Sequence, residues 1–420
     1  MTSTRHRIAL WTGVIVGLIV LIVVIRSSAG SSRLQKRLDA IRAAGQPTNA
    51  RELEQWIGTV RPEEDGGPAL FAATDSETLD EAALDRIHAA LQYPHFQFRN
   101  IYTNGLRLNV GLDSNIKLRI ELKALTAGAT SAARRHNANL AVLRLQDAIS
   151  ICGALDEEPN YISYLFRISG CSIASIATED VVTQNALDEP QLAVIQAQFQ
   201  RAEDRENLTR ALIGERALRN NEFAGGSLEF GPLLLPGQLG VNAAEWLRNL
   251  MGSFYVESGM MMADFNFYLE AMERLVAVAA RLDQTSKADR DLLDVVLNGQ
   301  SRAWARPHSG MILPTMSLLI AKELHHVATM RCAQTACAIE RYRRSHAEQL
   351  PELLDELVPT YLSKVPNDPM DGHPLRYRRL PMGYVVYSIG EDGTDDGGVA
   401  PANRPKNGKG GWDYTFTVGR

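Results

Sequence analysis

Three features of the amino-acid sequence predict a mainly α-helical protein, its helical hairpins arranged as a solenoid or a bundle, with an N-terminal transmembrane helix and a small C-terminal α+β module. Residues 8–25 form an uncharged apolar run of 18 positions. The stretch from Asn115 to Asn220 repeats apolar residues at three- and four-residue intervals, the period of an amphipathic helix. From Tyr361 to Phe416 that period gives way to Pro, Asp and Gly corners around two short strand-like runs.

Taken in order, residues 1–7 are a short tail and residues 8–25 the membrane helix, since an uncharged run of this length approaches the hydrocarbon thickness of a bilayer. A cleaved signal peptide is the competing reading, with Arg5 and Arg7 in front and Ser28-Ala29-Gly30 behind. The run exceeds a usual signal core and Arg26 follows it at once, which favours a retained single-pass anchor contacting membrane lipid. Arg26, Arg33, Lys36 and Arg37 outnumber Arg5 and Arg7, but long domains translocate largely regardless of such charges, and the bulk is expected outside the cytoplasm.

Residues 26–112 form a juxtamembrane and connecting region, with helices expected at Ser32 to Ala44 and Glu77 to Leu91. Residues 113–314 form the helical domain. Its helices at Ala138 to Leu155, Asn160 to Val182, Glu189 to Gln200 and Arg205 to Asn220 are separated by polar breaks such as Asp156 to Pro159 and Asp188 to Pro190. Short links make consecutive helices antiparallel, while no fixed-period repeat is legible. The Gly- and Pro-rich run Gly225 to Gly240 interrupts the helices before they resume at Asn242.

Residues 315–420 hold a long helix from about Ser317 to His346, then a Pro-rich loop, then strands at Leu375 to Arg378 and Tyr384 to Ser388. A sheet this short is marginal alone, so the strands are expected to pack on that helix. The loop Gly390 to Gly398 collects oxygen donors among glycines, a composition suited to a hard cation such as calcium. Asp392, Thr394, Asp396 and Gly397 fit the early positions of an EF-hand loop, but its twelfth position falls on Asn403 and a strand precedes it, so that motif fails. A solvated acidic turn is the plain alternative.

Asp368-Pro369, Gly372, Pro374-Leu375, Tyr377, Gly383-Tyr384, Tyr387-Ser388, Gly390 and Asp392-Gly393 together resemble the C-terminal domain of type II secretion major pseudopilins, over about a fifth of the chain. The resemblance implies a pilin-like module with a calcium site. By position, Asp392 supplies a side-chain oxygen, Ile389 and Thr394 main-chain carbonyls, and Asp413 a closing carboxylate. The run from Val399 to Gly411 lengthens the path to Asp413, so Asp395 or Asp396 is the alternative closing ligand. The glutamate-bearing N-terminal helix of pseudopilins has no counterpart in residues 8–25, and assembly as a pilus subunit is not expected. The acidic break Asp156 to Pro159, the helix Ile162 to Ile168 and Gly214-Glu-Arg-Ala217, with this tail, also resemble uncharacterised bacterial membrane-anchored helical proteins; that likeness implies architecture alone.

Composition narrows the function classes. With 420 residues, 45% hydrophobic and 22% charged, the chain has material for a core, and a net charge of −5 argues against nucleic-acid binding. Cys152, Cys171, Cys332 and Cys337 lack zinc spacing and read as buried thiols; Cys332 and Cys337 point to different helix faces. Glu323 and His326 have Glu-x-x-His spacing without a second copy and read as an ordinary polar helix face. Ser114 to Lys117 matches S-x-x-K without its companion motifs, and no nucleophile elbow, P-loop or dinucleotide fingerprint is present. Tyr342 to Arg344 and Arg376 to Arg379 read as solvated basic patches. The expectation is a non-enzymatic, membrane-anchored scaffold or protein-interaction module of the cell envelope with a protein partner. The alternative is an envelope hydrolase with a pocket in the helical domain.

Overall fold

The computed structural model describes residues 28–74, 80–98, 112–184, 187–203, 206–224, 258–282, 306–399 and 413–419, together with Trp11. The expected anchor, residues 8–25, lies outside the described residues apart from Trp11. Among the described residues no helix is long and apolar enough to cross a membrane.

The helices begin where the sequence places short polar side chains. Asn49, Asp80, Asn137, Asn160 and Asp188 each accept a backbone N–H from the first turn of the helix they cap, satisfying a donor that the helix itself leaves unpaired. The break Asp188 to Pro190 is thus a start signal: Asp188 and Gln191 form a reciprocal capping box with Pro190 in the first turn.

The described helices are α1 (residues 28–43), α2 (Ala50–Ile57), α3 (Gly67–Ala73), α4 (Glu81–Ala90), α5 (Leu112–Arg134), α6 (Ala138–Gly153), α7 (Tyr161–Thr183), α8 (Glu189–Ala202), α9 (Glu206–Ala224), α10 (Met260–Ala279) and α11 (Pro307–Ser345). The short helices α2 and α3 were not legible in the sequence. Three strands follow, β1 (Arg376–Leu380), β2 (Gly383–Ser388) and β3 (Tyr414–Gly419), in the antiparallel order β1-β2-β3. β3 lies beyond the two strands expected.

The helices form a bundle rather than a solenoid. In a solenoid each unit touches only its neighbours in sequence. Here α11, the last helix, packs against α7, α8 and α10 and carries the sheet as well. Its start is fixed from outside by Asp264 of α10, whose buried carboxylate accepts the N–H groups of His308 and Ser309.

Two apolar layers meet along α7 and α11. Tyr164 and Ile168 of α7, with Leu313 to Ala328 of α11, pack on α9, α10 and Leu38 of α1. One turn further along each helix, Cys171 to Val182 and Met330 to Ile339 pack instead on α4, α5, α6, α8 and the sheet. The sheet buries Tyr384, Val386, Phe416 and Val418 in this second layer, and Tyr384 donates its hydroxyl proton to the Ala336 carbonyl of α11 at 3.1 Å. The strands therefore rest on the long helix, as the sequence predicts. β2 is buried on its other face too, because Gly398 folds back over Val385 and Tyr387. Gly398 has φ +78°, and a Cβ there would lie 3.0 Å from Val385, so only glycine suits the position.

Candidate functional site

The acidic loop after β2 is built on Asp368, in the Asp-Pro corner before β1. This carboxylate is fully buried and accepts four hydrogen bonds, from the Met370 and Ile389 N–H groups, the Ser388 hydroxyl and the Arg376 guanidinium. It locks the corner to the end of β2 and so fixes where the loop leaves the sheet. Arg376 is correspondingly held by Asp368 and Asp371 and is not a solvated patch, whereas Arg378 and Arg379 are exposed.

The five expected metal residues divide into two groups. Asp392 and Thr394 are exposed at the rim, where Asp392 accepts the Thr394 N–H at 3.0 Å in a local turn. Asp413 is buried and reaches the loop despite the long run before it. Its N–H donates to the Val399 carbonyl, and its carboxylate accepts the N–H groups of Asp396, Gly398 and Val399. Burial pushes the Asp413 carboxyl above its usual range, opposed by those N–H groups and assisted by nearby Asp395. Asp396 lies beside it with one carboxylate oxygen buried and, among the described residues, without a partner. Ile389 is buried at the loop entrance.

The link between the two residues runs through the main chain, the Asp396 N–H donating to the Asp413 carboxylate, while the orphaned Asp396 oxygen is a buried polar atom that costs stability unless something pairs with it. Among the described residues no group of three or more His, Cys, Asp or Glu side chains is placed to hold a metal.

A second polar constellation lies inside the bundle, where the two apolar layers meet. Glu323 and His326 are buried and form no solvated face, contrary to the sequence reading. Glu323 accepts the Tyr164 hydroxyl at 2.5 Å. Arg167, 1% exposed, pairs with Asp156, donates to the Ala202 carbonyl at 3.0 Å and lies 3.2 Å from His326 Nε2. Burial and Arg167 push the His326 imidazole down to about 3, so it is neutral. Nε2–H then donates to Ala202 at 2.8 Å, and Nδ1 is buried without a partner among the described residues. Arg343 is also internal, paired with Glu340 and Glu348.

Above this layer opens a cavity of about 310 Å³ between the α4–α5 connection and helices α6, α7 and α8. Leu91, Phe96 and Ile149 give it an apolar side, and Arg167, Cys171 and Gln198 a polar one. At its edge His95 Nδ1 lies 2.7 Å from a Glu157 oxygen, and that bond raises the His95 pKa. Sequence reasoning missed the cavity, because its residues come from four separate segments. The one signal available was Arg167, the lone charge in the first half of a helix whose neighbouring positions are mostly apolar.

The segments that carry the second resemblance also meet in space. Gly214 of α9 packs on the acidic break so closely that a Cβ would lie 1.8 Å from the Pro159 carbonyl oxygen. Asp156, in the same break, holds Arg167. Comparison of the chain with protein-family models, with curated proteins and with solved structures finds no match. Fold and site together define a mainly helical bundle with a small three-stranded antiparallel sheet seated on its longest helix.

Proposed function

We propose that the chain is a non-enzymatic, membrane-anchored scaffold or protein-interaction module of the cell envelope, in which the pilin-like sheet presents a calcium-stiffened acidic loop as its docking face. The reading is carried by the mounting of that loop. Asp368 and Asp413 hold its base, while Glu391, Asp392 and Asp395 remain exposed. A rigid base with outward carboxylates suits recognition of a protein partner, since little ordering entropy is lost on binding.

The position of the bundle relative to the proposed anchor supports the same reading. Arg37 of α1 pairs with Glu270 and Glu273 of α10, and the Gly30 carbonyl accepts from Asn266. The segment after residues 8–25 is therefore docked on the bundle, and an anchor there would hold the body close to the bilayer. Affinity capture of the intact protein from its native membrane, in calcium and in chelator, tests the proposal. A co-purifying protein lost when Glu391, Asp392 and Asp395 are changed to Ala supports it; recovery unaffected by those changes defeats the docking face.

The hydrolase alternative rests on the cavity, where the His95–Glu157 pair stands beside Ser150 and Arg167. His95→Ala abolishing hydrolysis of a panel of chromogenic esters and peptides would favour it over the scaffold.

A further inference from the structure

Two of the four buried thiols are neighbours with access to a cavity. Cys152, in the last turn of α6, donates its thiol proton to the Ala148 carbonyl at 3.4 Å, and its sulfur packs against α7 at Gly170, the residue before Cys171. Gly170 creates the room, since a Cβ there would lie 2.7 Å from Cys152 Sγ. Cys171 lines the cavity of about 310 Å³, and so does Arg167, one turn earlier on the same helix. Cys332 and Cys337 are equally buried but line neither this cavity nor one another's helix face.

We propose that Cys152 and Cys171 form a redox pair, in which a hydroperoxide entering the cavity oxidises Cys171 and Cys152 resolves the product into a disulfide joining α6 to α7. The Cys171 thiolate donates an electron pair to one peroxide oxygen, the O–O bond breaks, and the leaving hydroxide takes up a proton to become water. Cys152 sulfur then attacks the sulfenic sulfur, the S–O bond breaks, and hydroxide departs with the Cys152 proton as a second water. Two thiols and one hydrogen peroxide thus give one disulfide and two waters. Three features assign the roles. Cys171, not Cys152, faces the cavity. The neighbouring Cys152 thiol and the Arg167 guanidinium hold the Cys171 thiol below its ordinary range despite burial, whereas Cys152 is pushed well above it. Burial pushes Cys337 up to about 12 and Cys332 likewise upward, which makes these two the internal control.

The test uses the purified full chain. It is treated with one equivalent of hydrogen peroxide at neutral pH, denatured, alkylated and digested after Lys and Arg. Cleavage after Arg167 puts Cys152 and Cys171 on different peptides, so their disulfide appears as a linked pair in mass spectrometry. The linked pair is expected, with Cys332 and Cys337 oxidised at least about tenfold more slowly, as burial of an unactivated thiol dictates. In Cys152→Ser, dimedone should trap a sulfenic acid on Cys171. In Gly170→Ala the yield of linked peptide should fall, because the methyl group displaces Cys152 Sγ. Equal oxidation of all four cysteines, Cys152 labelled ahead of Cys171, or Cys171 reacting only after unfolding would each overturn the assignment. The wild-type comparison among four thiols stands even if a variant fails to fold.

Discussion

Arg167 in the bundle and Asp392 in the loop after β2 are both charged residues, yet their surroundings differ in kind. Arg167 is 1% exposed and engaged by Asp156, Ala202 and His326, whereas Asp392 is exposed and engaged only by the turn it belongs to. A buried charge must be paired at every position or the fold suffers, so the bundle's polar layer is a matter of architecture. A rim charge is nearly neutral to stability and is free to meet something else. The inner pair, Asp396 and Asp413, lies between these cases: partly buried, partly tied and still short of one partner.

The largest effect that would break this comparison comes from Arg167. Arg167→Met removes the buried guanidinium from between Asp156, the Ala202 carbonyl and His326, and because Asp156 is itself partly exposed the loss is expected at about 3 kcal/mol, the low end for breaking a buried pair. Urea unfolding should show that loss, while Asp392→Ala should sit within about 0.5 kcal/mol of wild type without calcium. A loss below about 1 kcal/mol for Arg167→Met would mean that the polar layer is wet and the contrast false.

Gly214→Ala should come next. The added methyl group would need to occupy the place of the Pro159 carbonyl, and overpacking of this kind typically costs about 1–3 kcal/mol. Thermal unfolding measures it, and an unchanged midpoint would separate the break from α9.

The polar layer also predicts a pH signature. His326 has its folded pKa lowered from 6.5 to about 3. Its contribution is full above pH 6.5 and is lost as pH falls from there towards about 3, because the unfolded chain takes up the proton first. The slope from one such group is at most about 1.4 kcal/mol per pH unit. Glu121 and Glu179 act in the opposite sense, since burial raises both carboxyls to about 7 and favours the folded state below pH 4.5, an advantage lost as pH rises through 7. The His326 effect is therefore read as the difference between wild type and His326→Gln between pH 6.5 and 3. Parallel stability curves would show that the ring is not buried as a neutral group.

How much of this was legible in the sequence follows the range of the interactions. Helix starts were legible at Asn160 and Asp188 because a cap acts within three residues. The seating of the strands on the long helix was legible because a short sheet must bury one face and that helix offers the adjacent apolar one. The bundle was not separable from a solenoid, since the choice depends on α11 packing against α7 and α8, far away along the chain. Glu323 and His326 read as surface because their partners, Tyr164 and the Ala202 carbonyl, lie on other helices. Within the loop, position along the chain identified the residues but not their grouping. The long run before Asp413 closes at its base through the Asp413–Val399 backbone bond, a pairing that no local pattern encodes.

The smallest predicted effect sharpens the comparison most, because it separates the resemblance from the geometry. The resemblance makes Asp392 the side-chain ligand, whereas the buried orphan oxygen belongs to Asp396 beside Asp413. For a site of millimolar affinity, a few millimolar calcium stabilises the folded chain by about 1 kcal/mol through mass action. Thermal melts in calcium and in chelator should show that increment in wild type. If the inner pair holds the ion, Asp396→Asn loses the increment and Asp392→Ala keeps most of it; if the rim holds it, the order reverses. Without calcium, Asp396→Asn should be neutral or slightly stabilising, because it removes a carboxylate whose buried oxygen lacks a partner among the described residues. Equal melts in calcium and chelator for wild type, with no binding heat by calorimetry, would leave the loop a solvated acidic turn fastened by Asp413.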